Sequence, residues 1–561
     1  DIDKSMYFQT GTTDQTPKRK LRLCPSYVVG GKLEELVVTY IDQLGDADQA
    51  DFLHAVSNMP AVLGGLGMEV WSLCTGTGIM HHAQQAIEAV LSQKYSIFLK
   101  HQHVLACEQD PRKRKFVIAE LGVPFVAESM EELSKTTALN YSVDFNRPTM
   151  ETLPRAVFME VGFPCKSRSS LNAASSTMVN CVQDNKGKTG HGFKAAENVV
   201  DTHDPQLGVA ENVKGLRVAP RGGISDEQHI LNMFRGRGYW AHSQLMGAKD
   251  FGSPGVNRER LWWAFIKNLD EDYAVVSKYF QRLVNSFKHA CKSPMSDFIT
   301  VDDNQRRTEA ARLGLALHET EGPKESTATK SQQQWKLDHH RYFTANGMTW
   351  PALPSVLDPV RPGGLLPRER EVAAFLHAHF APTSELEFLD ANQNIVWFVR
   401  SYVDDDGALK ADRTGSPWKP TIPTLTGNAT MLVRISNLQA GTSTIRLIES
   451  FESMRLIGWF DELWKPLPPG RGRRNPDNSG LLAKPFSGLL ADMSGNAYCV
   501  WHCVPWLLAV YATTGKFGKR NRGLDPASPS PSSASRRSRS PSDHGGKRRR
   551  ARATDESTSS D

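Results

Sequence analysis

The sequence has little cysteine and scatters what it has. Eight cysteines occur in 561 residues, none in a Cys-x-x-Cys pair, and the nearest two, Cys499 and Cys503, are separated by Val-Trp-His. That spacing argues against both a zinc site and a disulfide framework, and it suits a reducing compartment. Long apolar runs are missing too. The longest near the end, 497–512, is interrupted by His502 and Pro505; it is too short to span a bilayer and predicts a buried helix. No signal-like apolar segment stands near the start, and the chain opens Asp1-Ile2-Asp3 without a methionine, as a truncated start would. Charge of one sign is scarce outside the tail. Residues 516–561 hold 12 Lys and Arg against 5 Asp and Glu, so they account for all of the net +6 and the rest sums to −1. The length leaves room for more than one domain, and 39% hydrophobic residues can build sizeable cores.

What is present alternates. Val70-Trp71-Ser72-Leu73 reads as a strand, Thr75-Gly76-Thr77-Gly78 as a turn, and 80–91 has helical spacing. Val104–Cys107 is a second short apolar run closed by Glu108-Gln109-Asp110, and a helical pattern follows through Phe116, Ile118 and Leu121. This order predicts an α/β domain with a largely parallel sheet. Glycines after the first strand let a backbone approach a ligand closely, and an acid ending the second strand suits ribose hydroxyls. On these residues alone a nicotinamide enzyme remains a competitor.

Three later segments carry groups with chemical potential. Val161-Gly162-Phe163-Pro164-Cys165-Lys166-Ser167 projects a thiol from a stiff turn after an apolar run. Ala210-Glu211-Asn212-Val213 ends a second run, Pro205–Val209. A second Glu-Asn-Val at Glu197 sits in a helix-like stretch instead, which favours Glu211 as the functional acid. Asn257-Arg258-Glu259-Arg260 precedes the strand-like run 261–266, and alternate residues of a strand share a face. Nearby cations lower a thiol pKa, and Lys166 and Arg168 are the sequence neighbours of Cys165. Near the end stand Arg446, Glu452, Arg455-Leu456-Ile457-Gly458-Trp459, and then Gly495-Asn496-Ala497.

These five segments, in this order, resemble the C5-cytosine methyltransferase family over most of the chain. The resemblance implies a Rossmann-like fold that uses S-adenosyl-L-methionine, with a smaller inserted target-recognition domain. It implies that Cys165 adds to cytosine C6, that Glu211 acts near N3, that Arg260 contacts the base and that Arg258 fixes the acid loop. It further implies that Gly76, Gly78, Glu108, Glu128, Pro164 and Asn496 border the cofactor. The sequence departs from the family where Asp is usual (Ser72), where an aromatic is usual (Cys74), and where Gln is usual (Val256).

The expected organisation is an N-terminal extension over 1–66, a catalytic and cofactor-binding domain over 67–266, a target-recognition region over 267–445, a catalytic C-terminal part over 446–515, and a disordered basic tail over 516–561. The polar stretch 321–334 predicts a disordered loop, and 167–192 a mobile lid. DNA is the favoured substrate; a tRNA methylase and a non-catalytic nucleic-acid-binding relative are the alternatives. The basic tail predicts attraction to phosphates and recognition by the nuclear import machinery, hence a nuclear location, with no membrane association.

Overall fold

Seven strands of one sheet carry the site. The computed structural model describes residues 32–65, 67–169, 173–253, 256, 258–289, 298–300, 303–312, 344, 395–398, 431–437, 442–459, 493–495 and 497–519. The stretch 321–334, Asn496 and the tail beyond 519 lie outside the described residues. Helices α1 (Leu33–Asp42) and α2 (Asp46–Val62) precede β1 (Met68–Leu73), α3 (Ile79–Tyr95) and β2 (His101–Cys107). Then come α4 (Pro111–Leu121), β3 (Phe125–Ala127), α5 (Met130–Leu133) and the hairpin β4 (Thr137–Asn140) and β5 (Thr149–Thr152). The element α4 shows why the chain turns where it does. Asp110 accepts from the Arg112 amide at its start, Pro111 fills the first helical position, and Gly122 closes it in the left-handed region.

The central strands follow: β6 (Phe158–Val161), α6 (Gly187–His203), β7 (Leu207–Val213), α7 (Asp226–Gly236), β8 (Tyr239–Gly247) and β9 (Glu259–Lys267). The sheet order is β3-β2-β1-β6-β7-β9-β8. The first five strands are parallel, while β9 runs antiparallel to both β7 and β8. This is a Rossmann-like α/β fold whose strand order reverses at β1, with the reversed strand β9 placed before the edge. In such sheets the ligand crevice lies outside the carboxyl ends of the strands at the reversal.

One sheet face packs on α1, α2, α3, α8 (Tyr273–Ser286) and the last helix; the other packs on α6 and α7. Two boundaries expected from the sequence shift as a result. Leu36, Tyr40, Phe52 and Met59 of the supposed N-terminal extension are core residues. So are Val276, Phe280 and Leu283 of α8, which was counted with 267–445.

Beyond α9 (Asp303–Arg312), β10 (Ile395–Phe398), β11 (Met431–Asn437) and β12 (Thr442–Leu447) form a separate antiparallel sheet. The short helix α10 (Ser450–Leu456) follows, then α11 (Val500–Phe517). A buried ionic joint fixes α10 to the segment 298–312. Arg446 donates to both Glu452 oxygens, at 2.8 and 2.7 Å, and to the Thr300 carbonyl at 2.8 Å. The Thr300 amide donates back to Glu452 at 2.8 Å, while Arg306 pairs with Glu449 and Arg455 with Glu309. Nearly every residue of α11 is buried, as the interrupted apolar run predicts. Its Gly515 lies against the Ala55 carbonyl of α2, where no side chain fits. Among the described residues no helix is long and apolar enough to cross a membrane.

Candidate active site

The carboxyl ends of β1, β2 and β3 present the expected ligand turn. Cys74, Gly76 and Gly78 all have positive φ (61°, 57° and 73°). For Cys74, the residue where an aromatic is usual, this is an uncommon backbone state. Gly78 opens α3, and a side chain there would meet Leu121 at 2.5 Å. Glu108, one residue past β2, accepts from the Gly76 amide at 3.1 Å and from the Asp110 amide at 3.1 Å. Burial raises its carboxyl pKa, with Lys113 and the two amides pulling the other way. Each oxygen keeps a second lone pair. Glu128, one residue past β3, is held by the Tyr141 hydroxyl at 2.7 Å and by Arg114 at 3.5 Å.

The nucleophile loop leaves β6 beside this turn. The Gly162 amide donates to the Leu73 carbonyl at 3.0 Å, which ties the loop to β1. Pro164 sits against α6, where a side chain at Gly192 would meet its Cδ at 2.5 Å. Ser167 and Thr189 bond reciprocally: the Ser167 amide donates to the Thr189 hydroxyl at 3.0 Å, and the Thr189 amide to the Ser167 hydroxyl at 3.2 Å. Residues 187–192, expected to belong to a mobile lid, are therefore the glycine-rich start of α6, packed under the loop.

Asn212 joins the thiol loop to the acid. Its side-chain amide donates to the Phe163 carbonyl at 2.9 Å, and its oxygen accepts from the Val213 amide. The sequence pattern alone assigned this residue no role. In the β7–β9 register Glu211 stands opposite Trp262 and Val213 opposite Arg260, so Glu211 and Arg260 are diagonal neighbours on one face. Arg260 Nε meets Glu211 Oε1 at 2.8 Å, with both side chains largely buried. Burial raises the Glu211 carboxyl pKa despite Arg260 and Arg258, which favours a proton there. The other candidate, Glu197, lies on α6 and is paired with Arg237 and Lys194.

Two expectations change at this point. Arg258 does not hydrogen-bond the acid loop: its guanidinium donates to the carbonyls of Gly495, at 3.2 Å, and Ala497. It is 2% exposed, and burial, aided by Arg260, lowers its pKa to about 10. The acid loop is fixed instead by Arg168, which donates to the Gly215 carbonyl at 3.2 Å and to the Ser175 carbonyl at 2.7 Å, and by the Lys214–Glu259 pair at 2.6 Å. The second change concerns the thiol. Burial raises the Cys165 pKa, Arg260 lowers it, Glu211 raises it and Arg258 lowers it. The largest cationic influences on the nucleophile thus come from Arg260 of β9 and from Arg258 just before it.

Beneath the loop lies a carboxyl group that no sequence motif singles out. Glu160 of β6 is 1% exposed and is the register partner of Ser72. Burial pushes its pKa up to about 8, with the Ser72 hydroxyl opposing. The acid usual at position 72 is absent, and this chain carries one on the adjacent strand.

A mostly parallel Rossmann-like sheet thus gathers a thiol, a carboxyl group and a guanidinium beside its glycine turn. The chain belongs to the C-5 cytosine-specific DNA methylase family, whose profile matches residues 68–463. It is 24% identical over 364 residues to a DNA (cytosine-5-)-methyltransferase, DMT5, of Cryptococcus neoformans var. grubii. That match takes in 61% of this chain but spans only 14% of the length of the curated relative. Among solved structures, the Dnmt2 methyltransferase of S. pombe aligns with 79% of this chain and 98% of its own, at 12% identity and a TM-score of 0.39. The Entamoeba histolytica methyltransferase EhMeth aligns with 80% and 98%, at 9% identity and 0.38.

Proposed function

We propose that this chain is a DNA cytosine-5 methyltransferase that uses S-adenosyl-L-methionine. The observation that carries the reading is the linkage of Cys165, Glu211 and Arg260 through the Asn212–Phe163 bond and the Glu211–Arg260 pair. The residues at the β1–β3 ends suit the cofactor: a left-handed glycine turn and an acid with spare lone pairs at Glu108. Gly76, Gly78, Glu108, Glu128 and Pro164, with Asn496 from the closing motif, would hold it. When bound, it supplies an electrophilic methyl group.

The chain's own residues do the rest. Cytosine C5 is a poor nucleophile until Cys165 Sγ bonds to C6 and makes C5 enamine-like. Negative charge moves toward N3, where a protonated Glu211 relieves it. Arg260 holds the acid and faces the base. After methylation, loss of the C5 proton restores the ring double bond and expels Sγ. A base stacked in a duplex hides its C6 face, so the target must be flipped out; we assign that task and target choice to the region between α9 and α10. Incubating the purified chain with radiolabelled S-adenosylmethionine and either duplex DNA or tRNA tests the reading. Label in DNA is expected, and label in tRNA alone overturns the substrate assignment.

The basic tail is assigned two roles on its composition: sequence-blind attraction to phosphates and nuclear import. Deleting 526–561 removes Arg536, Arg537, Arg539, Lys547, Arg548, Arg549, Arg550 and Arg552. Catalysis should persist, while the salt dependence of nonspecific DNA binding should flatten by about 0.9 in log–log slope for each phosphate no longer neutralised. The truncated chain should also lose nuclear enrichment. An unchanged slope with unchanged location leaves the tail with neither role.

A further inference from the structure

Tyr498 follows the closing Gly-Asn-small segment and occupies an unusual place. Its ring packs on Trp262 of β9, with centroids 5.5 Å apart, and Trp262 stands opposite Glu211 of β7. From there the ring reaches across to β6. A side chain added at Gly162 would meet the Tyr498 hydroxyl oxygen at 2.6 Å, so the phenol fills the space that any other residue at 162 would occupy. The registers locate that space. Val161 pairs with Leu73 on one side and with Ala210 on the other. One step further along, Gly162 therefore lies between Cys74 of the glycine turn and Glu211 of the acid loop. The Tyr498 hydroxyl thus stands over Gly162, between the turn after β1 and the strand that carries Glu211.

This hydroxyl is buried, the residue being 7% exposed, and it has no hydrogen-bond partner among the described residues. A polar atom hidden from water without a partner is costly, and most such atoms in folded proteins are matched by a ligand, water or ion. The groups facing it are Glu160 one step back on β6, Glu211 on β7, Cys74 after β1, and Cys503 on its own segment. With burial they keep it a neutral phenol, well above its ordinary pKa. A neutral phenol is a dipole whose oxygen lone pairs can face a positive charge.

We propose that the Tyr498 hydroxyl is a recognition contact for the sulfonium end of the methyl donor, favouring the charged donor over its neutral thioether product. The proposal rests on the methyltransferase reading and adds to it a residue that discriminates substrate from product. In a water-poor site a dipole facing a full charge acts more strongly than it does in solvent.

The test is Tyr498→Phe in the full chain, with S-adenosylmethionine and S-adenosylhomocysteine binding each measured by calorimetry. Phenylalanine keeps the ring on Trp262. Affinity for the sulfonium should fall about tenfold, as when a hydrogen bond to a charged group is removed, and affinity for the thioether by less than about twofold. The ratio of the two constants is internal to each variant, so general loosening of the site moves both together and leaves the ratio fixed. A wild-type chain that binds neither compound sinks the methyltransferase reading itself. A wild-type chain that binds both, with the variant's ratio unchanged, sinks only the assignment of Tyr498.

Discussion

Cys165→Ala is expected to abolish methyl transfer while leaving cofactor affinity nearly intact. The thiol serves only the covalent step, and the glycine turn and Glu108 lie on other strands. An oligonucleotide carrying 5-fluorocytosine should trap the wild-type chain, because fluorine at C5 cannot leave as a cation and Sγ then stays bonded to C6. Among the described residues Arg260 and Glu211 act on both Cys165 and Cys499, but Cys165 is partly exposed on a loop, whereas Cys499 and Cys503 are buried with the last helix. Peptide mapping of the adduct to another cysteine would overturn the assignment. The direction of the thiol's pKa adds a second readout. Burial holds it above its ordinary value, so the unliganded chain carries mostly thiol at neutral pH. Alkylation of Cys165 in the unliganded chain should therefore speed up as pH rises into the alkaline range, and an alkylation rate already at its plateau at neutral pH contradicts that direction.

Glu211→Gln should slow turnover by about 10²–10⁴-fold, the usual contribution of a general acid or base. Glutamine preserves the shape beside Arg260 but has no proton of comparable acidity to share with N3. The control is Glu197→Gln, in the same tripeptide context on the surface of α6. It weakens part-buried pairs with Arg237 and Lys194, a cost to stability and not to the chemistry at Cys165. Turnover should stay within about twofold, since the partners of Glu197 are Lys194 and Arg237 and not Cys165 or Arg260. The opposite ranking of the two variants would transfer the acid role to Glu197.

Local signals were legible in the sequence because they act locally. The strand–turn–helix at 70–91 and the proline-stiffened thiol loop depend on immediate neighbours, as does the contrast between Glu211 at a strand end and Glu197 in a helix, and the structure has these elements where the pattern put them. The buried fate of α11 was equally readable from its apolar run. What escaped depends on partners distant in sequence. The family resemblance made Arg258 a partner for the acid loop, yet its hydrogen bonds cross 237 and 239 residues to Gly495 and Ala497. Lys166 and Arg168 looked like thiol activators because they adjoin it, but a turn in which the Arg168 and Ser169 amides donate to the Cys165 carbonyl directs the chain elsewhere. Helix α8 carries its apolar residues at ordinary helical spacing, and nothing local reveals whose core they fill. Tyr498 needed two registers and one missing side chain before its position meant anything.

The ionic joint between 298–312 and 446–456 has a consequence for how such a chain can change over generations. By pinning both ends, Arg446, Glu452 and Thr300 turn everything between them into a closed loop. Closing a flexible loop costs only about 0.6 kcal/mol more for each doubling of its length. One hydrogen bond to a charged group contributes about 1.5–3 kcal/mol, so the joint can absorb several doublings. The cost of closing that loop therefore depends only weakly on how many residues it holds. Insertions or deletions between the two ends of the joint are therefore expected to cost the fold little, and a variant shortened there should keep its melting temperature within a few degrees.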